Sequence, residues 1–180
     1  YAMAGLVFEI CAARKIEVWT LGGETADPTP KAGFGIEVVP GIPALCAGAA
    51  LLGAPLMQDF ASISLSDLLT PWEVIERRLR AAVDADFVIV IYNPKSKTRS
   101  WQLEKVQEIA LGRRGPDTPV GIVSAAMRGG QSVYITQLGL LHEAPVDMQT
   151  TVFIGNSATV RWGDFLCTPR GYEKKYNIAG

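Results

Sequence analysis

The chain has 180 residues, a formal net charge of −1 and 48% hydrophobic residues. This length allows one domain or two small ones with a buried core, and the near-neutral charge argues against a general nucleic-acid-binding protein. The apolar content, combined with 19% charged residues, excludes extensive disorder.

The cysteines, the histidine and the apolar runs exclude further classes of protein. Three scattered cysteines without a CxxC pair favour reduced thiols and a cytoplasmic location over disulfides or a zinc site. The single histidine, His142, excludes a multi-histidine metal site and disfavours a Ser-His-Asp triad, so we predict no metal. No apolar run reaches the roughly 20 residues that span a bilayer, and we predict no membrane segment.

The first part of the chain predicts an alternation of helix and strand. Apolar residues at helical spacing predict a helix over residues 3–14, and residues 16–21 predict a strand. Residues 22–35 are rich in Gly, Pro and Thr and predict a loop, followed by a short strand from Ile36 that ends in a turn. Pro43 can occupy a first helical position, which predicts a helix over residues 44–52 that ends at Gly53.

We predict a hinge over residues 53–56, and hence two α/β lobes, 1–55 and 56–180. Beyond it, strands are predicted near residues 59–64 and over residues 87–92, 119–123, 131–136 and 151–156. A capping box at residues 70–73 predicts a helix with Ile75, Leu79, Ala82 and Val83 buried, and Ser100 is the expected cap of a helix over residues 101–111. The alternation predicts an α/β class with a mostly parallel or mixed sheet.

Several predicted strands end in small or polar residues, in the sequences "VVPGIPA", "ISLSD", "VIYNP" and "IVSAAM". Ligands of open α/β sheets bind outside the carboxyl ends of strands, so these endings predict one crevice for a mixed polar ligand, such as a nucleoside with an amino-acid tail. Ordinary strand-to-helix turns use the same residue types, which is the alternative interpretation. Neither G-x-G-x-x-G nor a P-loop is present.

Charged residues beside these endings have two interpretations each. Lys95, Lys97 and Arg99 follow a strand and are suited to pairing with carboxylates of an acidic substrate, or they form a solvated loop. Asp67, close to Ser64 and Ser66 in sequence, could handle a proton, or it only organises the turn before the next helix.

The order of the motifs resembles that of the tetrapyrrole methylases. The resemblance runs from about residue 35 onward and rests on "VVPGIPA", "SLSDLLTPWE", "YNPKS", "GIVSAAM" and "TTVFIGNS" followed by "TPRGY". The opening "YAMAGLVFEI" is similar to the segment that follows the family's Gly-Asp-Pro loop. We therefore expect the chain to lack the first strands of the N-terminal lobe, and the resemblance weakens over residues 19–34.

The resemblance implies a fold of two lobes that hold S-adenosylmethionine between them, usually in a homodimer. It implies methyl transfer to C17 of precorrin-3B, or of its cobalt form, with ring contraction, in cobalamin biosynthesis. Carried over by motif, the cofactor-binding residues are Pro43, Ala44, Ser64, Leu65, Tyr92, Asn93, Ala125, Ala126, Met127, Ile154 and Gly155.

The same resemblance implies that the partner is a precorrin-type tetrapyrrole, with no nucleic acid and no membrane. The substrate-binding candidates are Lys95, Lys97 and Arg99, and Ser66 and Asp67 are candidates for proton handling during ring contraction. Two alternatives stay open at this point. One is a non-catalytic corrinoid- or nucleotide-binding module, and the other is a Rossmann-type oxidoreductase whose glycine motif lies outside the chain.

Overall fold

A computed structural model describes residues 2–20, 33–96 and 100–176 of the chain. Contacts divide the chain into two compact units, residues 1–42 and 43–180. The helix that follows Pro43 belongs to the second unit in this division. The lobe boundary between residues 55 and 56 stays a prediction.

The first unit contains helix α1 (Ala2–Ala13) and strands β1 (Val18–Thr20) and β2 (Phe34–Ile36). The two strands pair in parallel, with Trp19 opposite Gly35. The predicted helix and first strand are confirmed, although β1 begins at Val18 and not at residue 16. The second strand ends at Ile36 instead of beginning there, because its pairing with β1 stops at that residue. Residues 22–32, most of the predicted loop, lie outside the described residues.

The second unit contains most of the regular structure. Its helices are α2 (Ala44–Leu52), α3 (Trp72–Asp84), α4 (Gln102–Leu111) and α5 (Tyr172–Tyr176), with a 3-10 helix at Leu138–Glu143. Its strands are β3 (Gly53–Ala54), β4 (Phe60–Ser64), β5 (Val88–Tyr92), β6 (Pro119–Ser124), β7 (Ser132–Gln137), β8 (Thr150–Ile154), β9 (Val160–Trp162) and β10 (Phe165–Cys167). Among the described residues, no helix has the length and apolar character to cross a membrane.

The main sheet has the strand order β4-β5-β8-β6-β7. The pair β4–β5 is parallel, whereas β5–β8, β8–β6 and β6–β7 are antiparallel. The α/β class with a mixed sheet is confirmed, and antiparallel pairs predominate in it because β8 runs backwards between β5 and β6. The carboxyl ends of β4, β5 and β6 therefore share one edge of the sheet, and β8 ends at the opposite edge.

The two faces of the main sheet bury different clusters. On one face, residues such as Ile89, Ile91 and Val152 pack with α3, α4 and the 3-10 helix. On the other face, Val90 and Phe153 pack with apolar residues of α2 and β10. Because side chains alternate along a strand, neighbouring residues of β5 serve opposite faces. We call the face that packs against α2 and β10 the α2 face.

The starts of α3 and α4 differ from the sequence prediction. Pro71 precedes the first residue of α3 without a side-chain cap bond, and Trp101, not Ser100, occupies the same position before α4. The predicted capping box therefore does not form. Trp72 and Trp101 pack edge to face with ring centroids 4.8 Å apart, which joins the two helix starts instead. The predicted buried stripe of α3 is confirmed.

Candidate functional site

Tyr92, the last residue of β5, ties three segments together at the carboxyl edge of the sheet. Its phenol oxygen accepts a 2.7 Å hydrogen bond from the Leu45 N–H in the first turn of α2. Its backbone carbonyl accepts a 2.9 Å bond from the Leu65 N–H. Burial raises the pKa of the Tyr92 phenol above its ordinary value, so the phenol remains protonated at neutral pH.

Replacing Tyr92 with Phe is expected to lower the free energy of unfolding by about 1 kcal/mol, because the Leu45 N–H loses its acceptor. The raised phenol pKa means that the stability contributed by Tyr92 is fully present below pH 10.0 and is lost as the pH rises above that value. Urea denaturation at neutral and alkaline pH checks both effects. Tyr134→Phe is the control, since Tyr134 is half-exposed on β7. Equal behaviour of the two variants would contradict this role of Tyr92.

Asn93 and two serines form a polar group beside Tyr92. The Asn93 side-chain amide donates a 3.0 Å hydrogen bond to Ser64 Oγ, and the Ser66 N–H donates to the same oxygen at 3.2 Å. Asn93 has a left-handed backbone with φ of 51°, which asparagine tolerates better than most residues. Leu65, also predicted at the cofactor site, has its side chain fully buried in the core.

The turn after β6 is strained. Ala125 and Met127 have φ values of 48° and 58°, in a region that costs such residues of order 1–3 kcal/mol. The turn is held by bonds from the Arg128 N–H to the Ala125 carbonyl at 2.9 Å and from the Met127 N–H to Gln131 Oε1 at 2.8 Å. Such strain persists where the surrounding structure imposes it, and it occurs often at ligand sites.

The α2 face brings the predicted segments into one place. Leu45, Tyr92 and Ala126 all pack against the same cluster around Phe153. Pro43 and Ala44 directly precede Leu45, so the start of α2, the end of β5 and the turn after β6 converge. The predicted convergence is therefore found for Ala126 itself and for Leu45 and Tyr92, the immediate neighbours of Ala44 and Asn93.

Ile154 and Gly155 lie elsewhere. Ile154 is opposite Ile89 and Val120, near the starts of β5 and β6. The Gly155 N–H donates to the Pro119 carbonyl at 2.9 Å, and both Ile154 and Gly155 are buried. The expectation that all the cofactor-binding candidates share one site is wrong for Ile154 and Gly155, because β8 is antiparallel to β5 and β6 and its carboxyl end is at the other end of these strands.

The candidates for substrate binding and proton handling are only partly described. Lys95 is exposed, and Lys97 and Arg99 lie outside the described residues. Asp67 Oδ2 accepts a 2.9 Å hydrogen bond from Gln102 Nε2, and the Gln102 side chain is buried. Gln102 was not predicted as a functional residue. Its position on the apolar stripe of α4 nevertheless indicates a buried polar side chain that needs a hydrogen-bond partner.

A groove adjoins the polar group around Ser64. Its volume is about 300 Å³, and it is lined by Ser62, Ile63, Ser64, Ser66, Leu68, Leu69, Thr70 and Arg78. Serine and threonine hydroxyls predominate among its polar groups, and Arg78 supplies the positive charge. The sequence prediction had not included Arg78, because helical spacing identifies exposed residues but not those that border a groove.

Comparison with known families identifies the class of the protein. A family model described as tetrapyrrole (corrin/porphyrin) methylases matches residues 18–141. The chain belongs to this family.

Particular relatives are similar over almost the whole chain. It is 46% identical to the cobalt-factor III methyltransferase of Priestia megaterium, over 99% of this chain and 31% of that protein. It is 42% identical to the probable cobalt-factor III C(17)-methyltransferase of Salmonella typhimurium, over 96% of this chain and 65% of the relative. The crystal structure of the methyltransferase CobJ matches with a TM-score of 0.73 and 36% identity, over 93% of this chain and 64% of that one. The chain thus spans between 31% and 65% of these relatives.

Proposed function

We propose that the protein transfers a methyl group from S-adenosylmethionine to C17 of a precorrin-type tetrapyrrole, with ring contraction, in cobalamin biosynthesis. Cobalt-factor III is the preferred substrate in this proposal, because both relatives named above carry it in their names. Precorrin-3B is the metal-free alternative. The observation that carries the proposal is the convergence of Leu45, Tyr92 and Ala126 at the carboxyl edge of the sheet, in a chain of this family.

The donor set at this edge fits S-adenosylmethionine. Asn93, Ser64 and Ser66 offer an amide and hydroxyl oxygens, and Ala126, in the strained turn between Ala125 and Met127, packs against the same cluster as Tyr92. These groups are neutral, so their oxygens favour a positively charged sulfur without adding a competing positive charge. When bound, the cofactor supplies an electrophilic methyl group. The residues proposed to hold it are Pro43, Ala44, Ser64, Leu65 through its backbone, Tyr92, Asn93 and the 125–127 turn.

The contribution of this chain to the reaction is mainly placement. Holding a carbon nucleophile in line with a methyl donor supplies a large part of the rate of such a transfer. Tyr92 fixes the first turn of α2 through Leu45, and Lys95, with Lys97 and Arg99, is proposed to bind substrate carboxylates. Asp67, oriented by Gln102, is the proposed group for a proton during ring contraction. A homodimer and a cytoplasmic location complete the proposal and rest on the resemblance.

Calorimetric titration of the full-length protein with S-adenosylhomocysteine and, separately, with NAD tests the cofactor. We expect S-adenosylhomocysteine to bind and NAD not to bind, because the described edge offers oxygen groups and the chain has no dinucleotide fingerprint. Transfer of a labelled methyl group to cobalt-factor III and to precorrin-3B then distinguishes the two substrates. Binding of NAD without S-adenosylhomocysteine would refute the proposal, and binding of both tetrapyrroles without transfer would indicate a non-catalytic corrinoid-binding module.

A further inference from the structure

The groove beside Ser64 runs along the unpaired side of β4, the outermost of the described strands at one side of the main sheet. In the part of the chain that the structure describes, β4 pairs only with β5. The Leu65 N–H points towards β5, where it is bonded to the Tyr92 carbonyl. Because alternate residues of a parallel strand direct their backbone groups to opposite sides, the N–H and C=O groups of Ser62 and Ser64 point away from β5. The groove therefore contains backbone groups as well as hydroxyls.

Arg78 borders this groove from α3 and has no carboxylate of its own. The residues one helical turn away, Val74 and Ala82, are uncharged, whereas Arg80 pairs with Glu76 at 2.5 Å one turn back. Among the described residues, Arg78 makes no hydrogen bond or ion pair. A guanidinium without an internal partner at a groove is suited to binding an anion from outside.

Two adjacent leucines complete the groove. Leu68 and Leu69 are 85% and 92% exposed, and both line it. Covering large, exposed apolar side chains such as these with an apolar ligand lowers the free energy, because apolar surface is removed from water. A cation, several hydroxyls and two exposed leucines together fit a ligand that is apolar over its body and acidic at its edge.

We propose that this groove binds one carboxylate side chain of the tetrapyrrole substrate, with Arg78 as its ionic partner. Ser62 and Ser66 supply further hydrogen bonds, and Leu68 and Leu69 contact the adjoining edge of the macrocycle. This inference rests on the proposed function. The volume of about 300 Å³ is at the lower end of the range for small-molecule pockets and suits one acidic arm, not the whole ring. Arg78 is therefore a specificity-determining residue that does not touch the reacting atoms.

Arg78→Ala in the full-length protein tests this subsite. Loss of one charge-assisted hydrogen bond is expected to raise the KM for cobalt-factor III by about 10-fold, with little change in kcat. The dissociation constant of S-adenosylhomocysteine should not change. Arg78→Lys should restore part of the affinity, because it retains the charge but loses the planar fork. Arg77→Ala is the matched control, since Arg77 is exposed on the same helix and does not line the groove.

A second measurement does not depend on methyl transfer. Uroporphyrin, a carboxylate-bearing porphyrin, is titrated into each variant by fluorescence quenching. Weaker binding is expected for Arg78→Ala and, to a smaller extent, for Arg78→Lys, but not for Arg77→Ala. Equal binding by the Arg78→Ala and Arg77→Ala variants would overturn the subsite. An equal loss of uroporphyrin and S-adenosylhomocysteine affinity would also overturn it, because that pattern indicates a structural role. Failure of the unmodified protein to bind S-adenosylhomocysteine would instead reject the proposed function. The porphyrin titration would then still test whether Arg78 binds a carboxylate.

Discussion

Arg114→Met is expected to lower the free energy of unfolding by about 3 kcal/mol. Arg114 is 7% exposed, and its guanidinium donates to the carbonyls of Gly155 at 2.7 Å and Phe87 at 2.5 Å. It thereby joins the start of β5, the end of β8 and the end of α4. Methionine fills similar space but leaves both carbonyls without this donor. The substitution also removes the buried Arg114 Nε, which has no hydrogen-bond partner in the described part of the chain. Removing this unsatisfied donor offsets some of the lost stability.

The adjacent arginine provides the control for this experiment. Arg113 forms a 2.9 Å ion pair with Asp84 in which both side chains are more than half exposed, and such pairs contribute roughly 0–1 kcal/mol. Arg113→Ala should therefore leave the urea midpoint almost unchanged. Burial lowers the pKa of the Arg114 guanidinium, while nearby Asp86 raises it. A midpoint for Arg114→Met equal to that of Arg113→Ala would show that the two carbonyl bonds add no stability.

Gly48→Leu is expected to destabilise the protein by about 3 kcal/mol, at the upper end of the usual cost of overpacking. A Cβ atom at position 48 would lie 2.8 Å and 2.9 Å from two atoms of the Phe153 ring. Phe153 is buried in the centre of the cluster on the α2 face, so the ring has little room to move and α2 must shift. That shift would pull Leu45 from the Tyr92 hydroxyl. If the proposed function holds, affinity for S-adenosylhomocysteine should fall as well, by about 10-fold or more.

Ala50→Leu is the matched control in the same helix. Ala50 is exposed, so the added side chain meets solvent, and the expected change in stability is within about 0.5 kcal/mol. Thermal or urea unfolding measures stability, and calorimetry measures affinity. Equal stability of the two variants would contradict the close packing of α2 on Phe153.

The local elements could be predicted because each depends on residues within it. Pro43 and Gly53 bracket α2, whose bounds agree with the prediction. The uninterrupted apolar run of β5 predicted a strand buried on both faces, and its first four residues are buried. The pairing direction of β8 could not be predicted in this way. A strand buried on both faces has an apolar pattern that reads the same in either direction.

The site was predictable to the extent that it consists of strand ends. The strand ends that carry Tyr92, Asn93 and Ala126 were predicted to line one crevice because polar or small residues follow apolar runs, and the family resemblance assigned these three residues to the cofactor. Gln102 and Arg78 were missed, since their roles depend on what tertiary packing places beside them: Asp67 for the first and an open groove for the second. Local pattern does not contain that information.

The late position of β8 in the chain has a consequence for how the protein forms. Its residues, Thr150–Ile154, come after those of every other strand in the main sheet, yet β8 occupies the centre of that sheet. Until this segment is in place, no strand pairing among the described residues joins β4–β5 to β6–β7. Closure of the sheet is therefore a long-range event of the kind that slows folding, and the edge that carries Tyr92 and Ala126 is assembled only when it happens.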